Sequence, residues 1–433
     1  MGPDPIIRRD AVDTGRTYLC IDLKSFYASV ECADRGLDPF TTNLVVADPS
    51  RGDGTICLAA SPAIKALGVS SRARVFEIPK DINYIKAPPR MKRYMEVSAQ
   101  IYGIYLRRVS PQDIHVYSID ECFIDATPYL RLYRTDAKSF AELLMADVEE
   151  ETHICATAGI GTNLFLAKVA LDITAKHVDD HIGYLDEREF RRKIWHHRPI
   201  TDIWGIGPGI ARRLLQYNVV DLAGITQIDE RFLHKEFGVN AEYLIDHAWG
   251  YESCTIADIH AYKPRGHSTS NGQVLMRDYS FAEARNVLRE MASASALDLV
   301  EKHLVCDSVS LYVGYSWDDL GAQSAGAARK LGKLTNSRNE LLGWVLDIYD
   351  EVADRDRSIR RLSVSLGGLA DERYATHTLF DDVEADEEEH SLSAATLAVQ
   401  RKFGKNALLR GVSFREEATQ RERNNQVGGH RAE

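Results

Sequence analysis

The chain has 433 residues, enough for about three or four domains of ordinary size, each with its own core. A formal net charge of −11 argues mildly against a nucleic-acid binder, because phosphate neutralisation needs Lys and Arg. The acids, however, concentrate in Asp147 to Glu151 and in Asp381 to Glu389, leaving basic groups such as Arg72/Arg74, Arg90/Lys92/Arg93, Arg188/Arg191/Arg192/Lys193 and Arg360/Arg361 elsewhere. Seven cysteines, odd in number and without a C-x-x-C pair, indicate reduced thiols in an intracellular protein rather than a disulfide framework or zinc site, and neither a signal peptide nor a bilayer-long apolar run is expected.

In chain order, Met1 to Gly15 reads as a loose polar tail. The apolar run Tyr18-Leu19-Cys20-Ile21 then predicts a strand that ends at Asp22. The period changes directly afterwards: Ser25 is placed as the cap of a helix carrying Phe26, Val30 and Ala33 at helical spacing. Strands follow at Leu44 to Asp48 and Ile56 to Ala60, separated by the turn cluster Pro49 to Gly54, and Ser61-Pro62 opens a short helix.

The stretch Tyr117-Ser118-Ile119-Asp120-Glu121-Cys122-Phe123-Ile124-Asp125 sets two adjacent acids inside an apolar, β-prone run. Successive strand residues point to opposite faces, so both acids can serve one site only if the chain reverses tightly at Ser118 to Glu121. Asp22 supplies a third carboxylate at the end of another strand. Three such acids could hold two Mg²⁺ for an in-line phosphoryl displacement, whereas the plainer alternative is a turn residue beside a hydrated hairpin tip.

Beyond the hairpin, Phe140, Leu144 and Val148 give Ala137 to Glu150 a helical stripe facing a sheet. The small-residue strand and turn Ala156 to Asn163 leads into a helix over Leu164 to Thr174. Its glycines are expected to let the backbone approach a ligand, and the helix N-terminus to favour phosphate. From Ile203-Trp204-Gly205-Ile206-Gly207-Pro208-Gly209 into the basic helix of Arg212 and Arg213, the pattern resembles a helix-hairpin-helix, which grips DNA phosphates through backbone N–H groups, the plainer alternative being an ordinary αα-turn. After a linker near Ala261 to Arg265, strands are predicted at Ser268 to Leu275, Ser308 to Tyr315 and Ile359 to Gly367. Helices at Ala282 to Lys302 and Ser337 to Val352 alternate with them, which makes a compact α+β unit. The segment from Ala370 is acidic and polar, turning helical at Leu392 to Phe403.

The run Cys20-Ile21-Asp22-Leu23-Lys24-Ser25-Phe26-Tyr27-Ala28-Ser29-Val30-Glu31, followed by Tyr117-Ser118-Ile119-Asp120-Glu121, resembles the Y-family translesion DNA polymerases, and within them the UmuC-like branch. The likeness extends from about Tyr18 to the segment Arg421 to His430. Lys24 departs from it, since many members carry an acid or amide there. What the resemblance implies is an α+β right-hand polymerase: an N-terminal tail (1–17), palm and small fingers (18–175), a helical thumb with the helix-hairpin-helix (176–254), an α+β little finger (260–369) and an acidic C-terminal tail (370–433).

It further implies catalytic carboxylates Asp22, Asp120 and Glu121, which with Leu23 form the metal-binding set for two Mg²⁺. Tyr27 matches the aromatic gate under the incoming sugar, where a ring leaves no room for a 2′-hydroxyl. Lys65 and Lys168 match the two triphosphate-binding bases, with Pro62 standing where an aromatic partner is usual. Taken alone, Tyr27 reads as a core aromatic and both lysines as solvated. Gly205, Gly207, Gly209, Arg212 and Arg213 would contact DNA. Thr378-Leu379-Phe380 resembles the end of a sliding-clamp peptide, Leu379 and Phe380 being its anchors and Thr376 replacing the usual glutamine. The implied partners are primed template DNA, dNTPs, the sliding clamp and an accessory subunit. The implied work is error-prone translesion synthesis in DNA repair and the SOS response, in the cytoplasm. A non-catalytic scaffold of the same fold and a two-metal nucleotidyl cyclase are the other classes open to these residues.

Overall fold

The computed structural model describes residues 15–264, 266–317, 321, 323–376 and 382–433. The chain divides into two compact units, one ending at Tyr262 and the other beginning at Lys263. In the first, β1 (Tyr18–Leu23) leads into α1 (Phe26–Ala33), and an excursion follows through β2 (Leu44–Val46), β3 (Ala59–Ala60), α2 (Pro62–Ala66) and β4 (Ile85–Ala87). Next come α3 (Met91–Tyr105), the hairpin β5 (Ile114–Val116) and β6 (Glu121–Asp125), α4 (Thr127–Tyr133), α5 (Ala137–Thr152), β7 (Ala156–Gly161), α6 (Leu164–Val169) and β8 (Ile182–Leu185).

Among the described residues a five-stranded sheet runs β5-β6-β1-β7-β8, antiparallel except between β7 and β8. The central strand β1 is buried on both faces, which is why it reads as a continuous apolar run rather than an alternating one. One face packs Tyr18, Cys20 and Phe123 against Leu164, Ala167 and Leu171. The α5 helix buries Phe140, Leu144 and Val148, as their spacing predicts. The excursion has its own core of Val45, Ala47, Cys57, Ala60, Ile64 and Val75.

The rest of this unit is helical: α7 (Glu187–Lys193), α8 (Pro208–Leu215), α9 (Leu222–Ile225), α10 (Glu230–Phe237), α11 (Ala241–Trp249) and α12 (Ile256–Ala261). Its core of Phe190, Ile206, Leu214, Leu233 and Leu244 is continuous with Phe165 and Val169 of α6. That shared core explains why sheet and helices form one compact unit.

In the second unit, β9 (Ser268–Tyr279), α13 (Phe281–Glu301), β10 (Leu304–Tyr315), β11 (Ser324–Thr335), α14 (Arg338–Val352) and β12 (Ile359–Gly367) make a sheet of order β11-β10-β12-β9 with both helices in its core. Every strand and helix expected here is present. The edge strand β11 was not expected, because Ser-Ala-Gly-Ala-Ala-Arg-Lys-Leu-Gly-Lys-Leu-Thr lacks β-branched and aromatic residues until its end. Pairing with β10 creates it, and Ala325, Ala327 and Leu331 supply its core face.

Four local expectations are corrected. Ser25 does not cap α1: it sits at φ 51° with no side-chain capping bond. The strand expected at Ile56 to Ala60 is reduced to Ala59–Ala60. Only a 3₁₀ turn, Ile200–Asp202, precedes the glycine hairpin, because the few residues between Pro199 and Gly205 cannot build a longer helix. The helix expected at Leu392 to Phe403 is longer: α15 (Val383–Phe403) starts a full two turns earlier, and the chain after it folds back on α13. There the Asn286 amide donates to Glu417 at 2.6 Å, the Thr419 N–H to Glu290 at 2.8 Å, and Arg423 to Asn271 of β9 at 2.7 Å. Among the described residues no helix is long and apolar enough to cross a membrane.

Candidate active site

The register of β1 and β6 sets Asp22 directly opposite Glu121. Such cross-strand partners share a face, their Cβ atoms about 4.5–5.5 Å apart. The expected reversal is present: the N–H groups of Tyr117 and Ser118 both donate to the Glu121 carbonyl at 3.0 Å. Two further bonds hold the tip. The Leu23 N–H donates to the Asp120 carbonyl at 2.9 Å, and Ser98 Oγ of α3 donates to the Ile119 carbonyl at 2.6 Å. Acids from two distant strand ends thereby reach one sheet edge. Burial, and next the charges of Asp120 and Glu121, push the Asp22 carboxyl up to about 7, with Lys168 opposing.

Two lysines stand at this edge. Lys168 Nζ lies 2.8 Å from Glu121 Oε1 and 3.0 Å from Asp172 Oδ1, and the buried Cys20 thiol donates to the same Glu121 oxygen at 3.1 Å. Burial works against the Lys168 charge, but the hydrogen bond to Glu121 and the Asp172 charge outweigh it and hold its pKa above the ordinary value. Lys65 donates to Ser25 Oγ at 2.7 Å, which is what that serine does instead of capping α1. Burial lowers the Lys65 pKa while Asp22 opposes the shift. Both predicted triphosphate bases therefore sit within electrostatic reach of Asp22, and neither is simply solvated.

The backbone assembles the expected set of Asp22, Leu23, Asp120 and Glu121, but the side chains do not close it. Among the described residues no three Asp, Glu, His or Cys side chains converge as ligands. Glu121 is turned to Lys168, and Asp120 accepts from Ser118 Oγ at 2.6 Å. The donors themselves fit a hard divalent cation, being carboxylate oxygens whose mutual repulsion already shows at Asp22.

The glycines before α6 do something other than expected. A Cβ at Gly159 would lie 2.1 Å from the Ala167 carbonyl oxygen, and one at Gly161 would lie 2.2 Å from the Ala167 nitrogen. They admit the backbone of α6 against β7, not a ligand. The N-terminus of α6 is closed as well: Asn163 Oδ1 accepts from the Leu166 N–H at 2.8 Å, its amide donates to the Gly250 carbonyl at 2.9 Å, and Leu164 to Leu166 are buried.

Tyr27 lies on the first turn of α1, half-buried, its ring stacked on Tyr94 of α3. Burial, and then the Asp120 charge, raise its phenol pKa. In the glycine hairpin, Gly205 has φ +87°, a conformation that favours glycine, and nothing lies within 4 Å of a Cβ built at Gly205, Gly207 or Gly209. The open backbone suits phosphate contact. Arg212 is exposed, and the partly exposed Arg213 pairs with Glu236 at 2.8 Å and lies 4.2 Å over the Phe237 ring.

Other basic groups are also committed within the fold, Arg90 and Arg93 to Glu31 and Asp34, and Arg192 and Lys193 to Glu189. Leu379 and Phe380 lie outside the described residues. Sequence reasoning missed Tyr94, which its helical stripe with Met91, Val97 and Ile101 disguises as ordinary core. It also missed Glu31, whose signal was an acid inside an apolar helix.

Solved structures point to the class. A Y-family DNA polymerase chimera built from Dbh and Dpo4 matches with a TM-score of 0.61 and 21% identity, over 81% of this chain and 98% of that one. The fold is thus that of a Y-family polymerase, with palm, fingers, thumb and little finger. The impB/mucB/samB family model matches residues 21–172, and the model of that family's C-terminal domain matches 267–379. UvrX of Bacillus subtilis (strain 168), a protein named for UV-damage repair, is 30% identical over 420 residues, covering 96% of this chain and 98% of its own. DNA polymerase IV 2 of the same strain is 29% identical over 426 residues, with coverage of 95% and 97%. The chain belongs to the impB/mucB/samB family, the UmuC-like branch of the Y-family translesion polymerases.

Proposed function

We propose that the edge formed by Asp22, Asp120 and Glu121 is where this chain joins a deoxynucleotide to a primer 3′-hydroxyl opposite a damaged template, with two Mg²⁺ held by those carboxylates and the main chain at Leu23. Family membership makes the protein a DNA-directed DNA polymerase of the translesion class that binds DNA and dNTPs. The residue roles are the proposal. One observation carries it: the register of β1 and β6 sets Asp22 directly opposite Glu121, next to Asp120 at the hairpin tip and with Lys168 2.8 Å from Glu121, so that three acids and a base from distant parts of the chain meet at one place.

When bound, two such ions lower the pKa of the primer hydroxyl and neutralise the triphosphate and its departing pyrophosphate. Lys65 and Lys168 hold triphosphate oxygens as point charges. Tyr27 lies under the sugar and excludes a 2′-hydroxyl. The backbone at Gly205, Gly207 and Gly209, with Arg212, takes duplex phosphates without reading bases. Clamp docking through Leu379 and Phe380, an accessory subunit, a place in the SOS response and work in the cytoplasm complete the reading.

The test is primer extension with Mg²⁺ on undamaged and lesion-bearing templates, wild type against Asp120→Ala/Glu121→Ala, with DNA binding measured in parallel. Extension by the double variant is expected to fall by about 10³-fold or more while primed DNA still binds. A double variant that extends like the wild type refutes the carboxylate assignment. If neither protein extends, although both bind, the unaided activity is refuted, and adding the clamp tests for dependence on a partner.

A further inference from the structure

The Tyr27 ring is backed by a second ring. Its centroid lies 4.5 Å from that of Tyr94, with the planes 15° from parallel, and Phe26 stands 5.7 Å away at a tilt. Tyr94 is 0% exposed, and its hydroxyl donates to Glu31 Oε1 at 2.8 Å. Glu31, four residues after Tyr27 on the same helix, is also 0% exposed. Arg90 Nε donates to the same oxygen at 2.8 Å, and Arg35 pairs with the other. Arg90 is itself held by Asp34 at 2.7 Å.

A buried carboxylate is costly unless it is paired and hydrogen-bonded, and here Arg90 and Arg35 balance the Glu31 charge while Tyr94 donates to it, which fixes the far end of the Tyr94 ring. A gate that must reject a single added oxygen atom works only if its ring cannot retreat. One face of Tyr27 is covered by the stacked Tyr94 ring, whose hydroxyl end is anchored by Glu31 so that the ring cannot swing away. We propose that Tyr94, fixed by Glu31 and Arg90, is the positioning residue that keeps the Tyr27 ring in place, so that discrimination between deoxyribonucleotides and ribonucleotides depends on Tyr94 as well as on Tyr27. This rests on reading Tyr27 as the sugar gate.

The experiment measures kcat/KM for a dNTP and its matching rNTP in single-nucleotide incorporation by the full chain, as wild type, Tyr27→Ala, Tyr94→Leu and Tyr94→Phe. Tyr27→Ala tests the gate itself and is expected to abolish most of the preference. Tyr94→Leu removes the supporting plane and is expected to lower the dNTP/rNTP ratio about tenfold, while Tyr94→Phe, which keeps the ring, stays within about threefold of wild type. Should the leucine variant fail to fold by thermal melting, Tyr94→Met carries the same expectation. A ratio that collapses in Tyr27→Ala but is unchanged in Tyr94→Leu overturns the role of Tyr94 and leaves the gate standing. A ratio unmoved by Tyr27→Ala overturns the gate, and the present proposal with it.

Discussion

Gly159→Ala separates two explanations of the small residues before α6. The added methyl group would sit 2.1 Å from the Ala167 carbonyl oxygen and 2.3 Å from the Leu171 nitrogen, both of them backbone atoms with no rotamer to change. Ordinary contact lies at about 3.5 Å, so α6 must withdraw by roughly 1 Å or more. Overpacking of a close-packed interior costs about 1–3 kcal/mol, and a clash with backbone belongs at the upper end. Lys168 follows Ala167 directly and reaches Glu121 at 2.8 Å, so the displacement is carried into the site. A misplacement of about 1 Å there costs about 10²-fold in rate. Urea denaturation is therefore expected to show a loss of about 3 kcal/mol, and incorporation at saturating dNTP a loss of about 10²-fold. If Gly159→Ala instead keeps its stability to within about 0.5 kcal/mol and only raises KM for the dNTP, the glycine serves a ligand and the packing argument is wrong.

Arg212 and Arg213, adjacent in sequence, should behave differently. Arg212→Ala is expected to weaken DNA binding and reduce the slope of log affinity against log salt by about 1, as the loss of one phosphate contact does. Arg213→Ala should leave that slope alone and cost about 1 kcal/mol of stability, because its partners are Glu236 and the Phe237 ring. Equal salt slopes for the two variants would refute the distinction. Glu283 gives a pH test in the second unit. Its bonds to Arg277, and then to Ser280 in a capping box, hold its carboxyl down to about 2, from an ordinary 4.5. A depressed carboxyl contributes stability that is complete above 4.5 and lost as pH falls through 2. Thermal melts should accordingly show Glu283→Gln less stable than the parent near neutral pH, with the gap narrowing between those two values. A gap independent of pH would show that the carboxylate charge contributes nothing.

Much of the architecture and the centre of the site were legible from local pattern. The run before Asp22, the helical stripe of Phe140, Leu144 and Val148, and the strand and helix order after Ser268 each announce themselves within a dozen residues, because side-chain period and backbone geometry are coupled locally. The reversal between Ser118 and Glu121 was legible for the same reason: two acids meant for one site cannot lie on a straight strand. Partnership was not legible. Nothing in the segment around Tyr94 says that its ring meets Tyr27 or that its hydroxyl meets Glu31, 63 positions away.

The same limit applies to Arg90 and Arg213, whose ion-pair partners Glu31 and Glu236 cannot be read from the segments that hold them. Gly159 and Gly161 mark a close approach in either reading, and only packing decided that the approaching group is α6. The strand β11 exists because β10 offers it an edge, against its own weak propensity. By itself, then, the sequence determined the identity and order of most of the elements and the chemistry available at the tips of β1 and the hairpin. Only the tertiary structure decided which charges are spent on one another, which ring supports which, and which lysine faces which carboxylate, since those depend on contacts between residues that the chain keeps far apart.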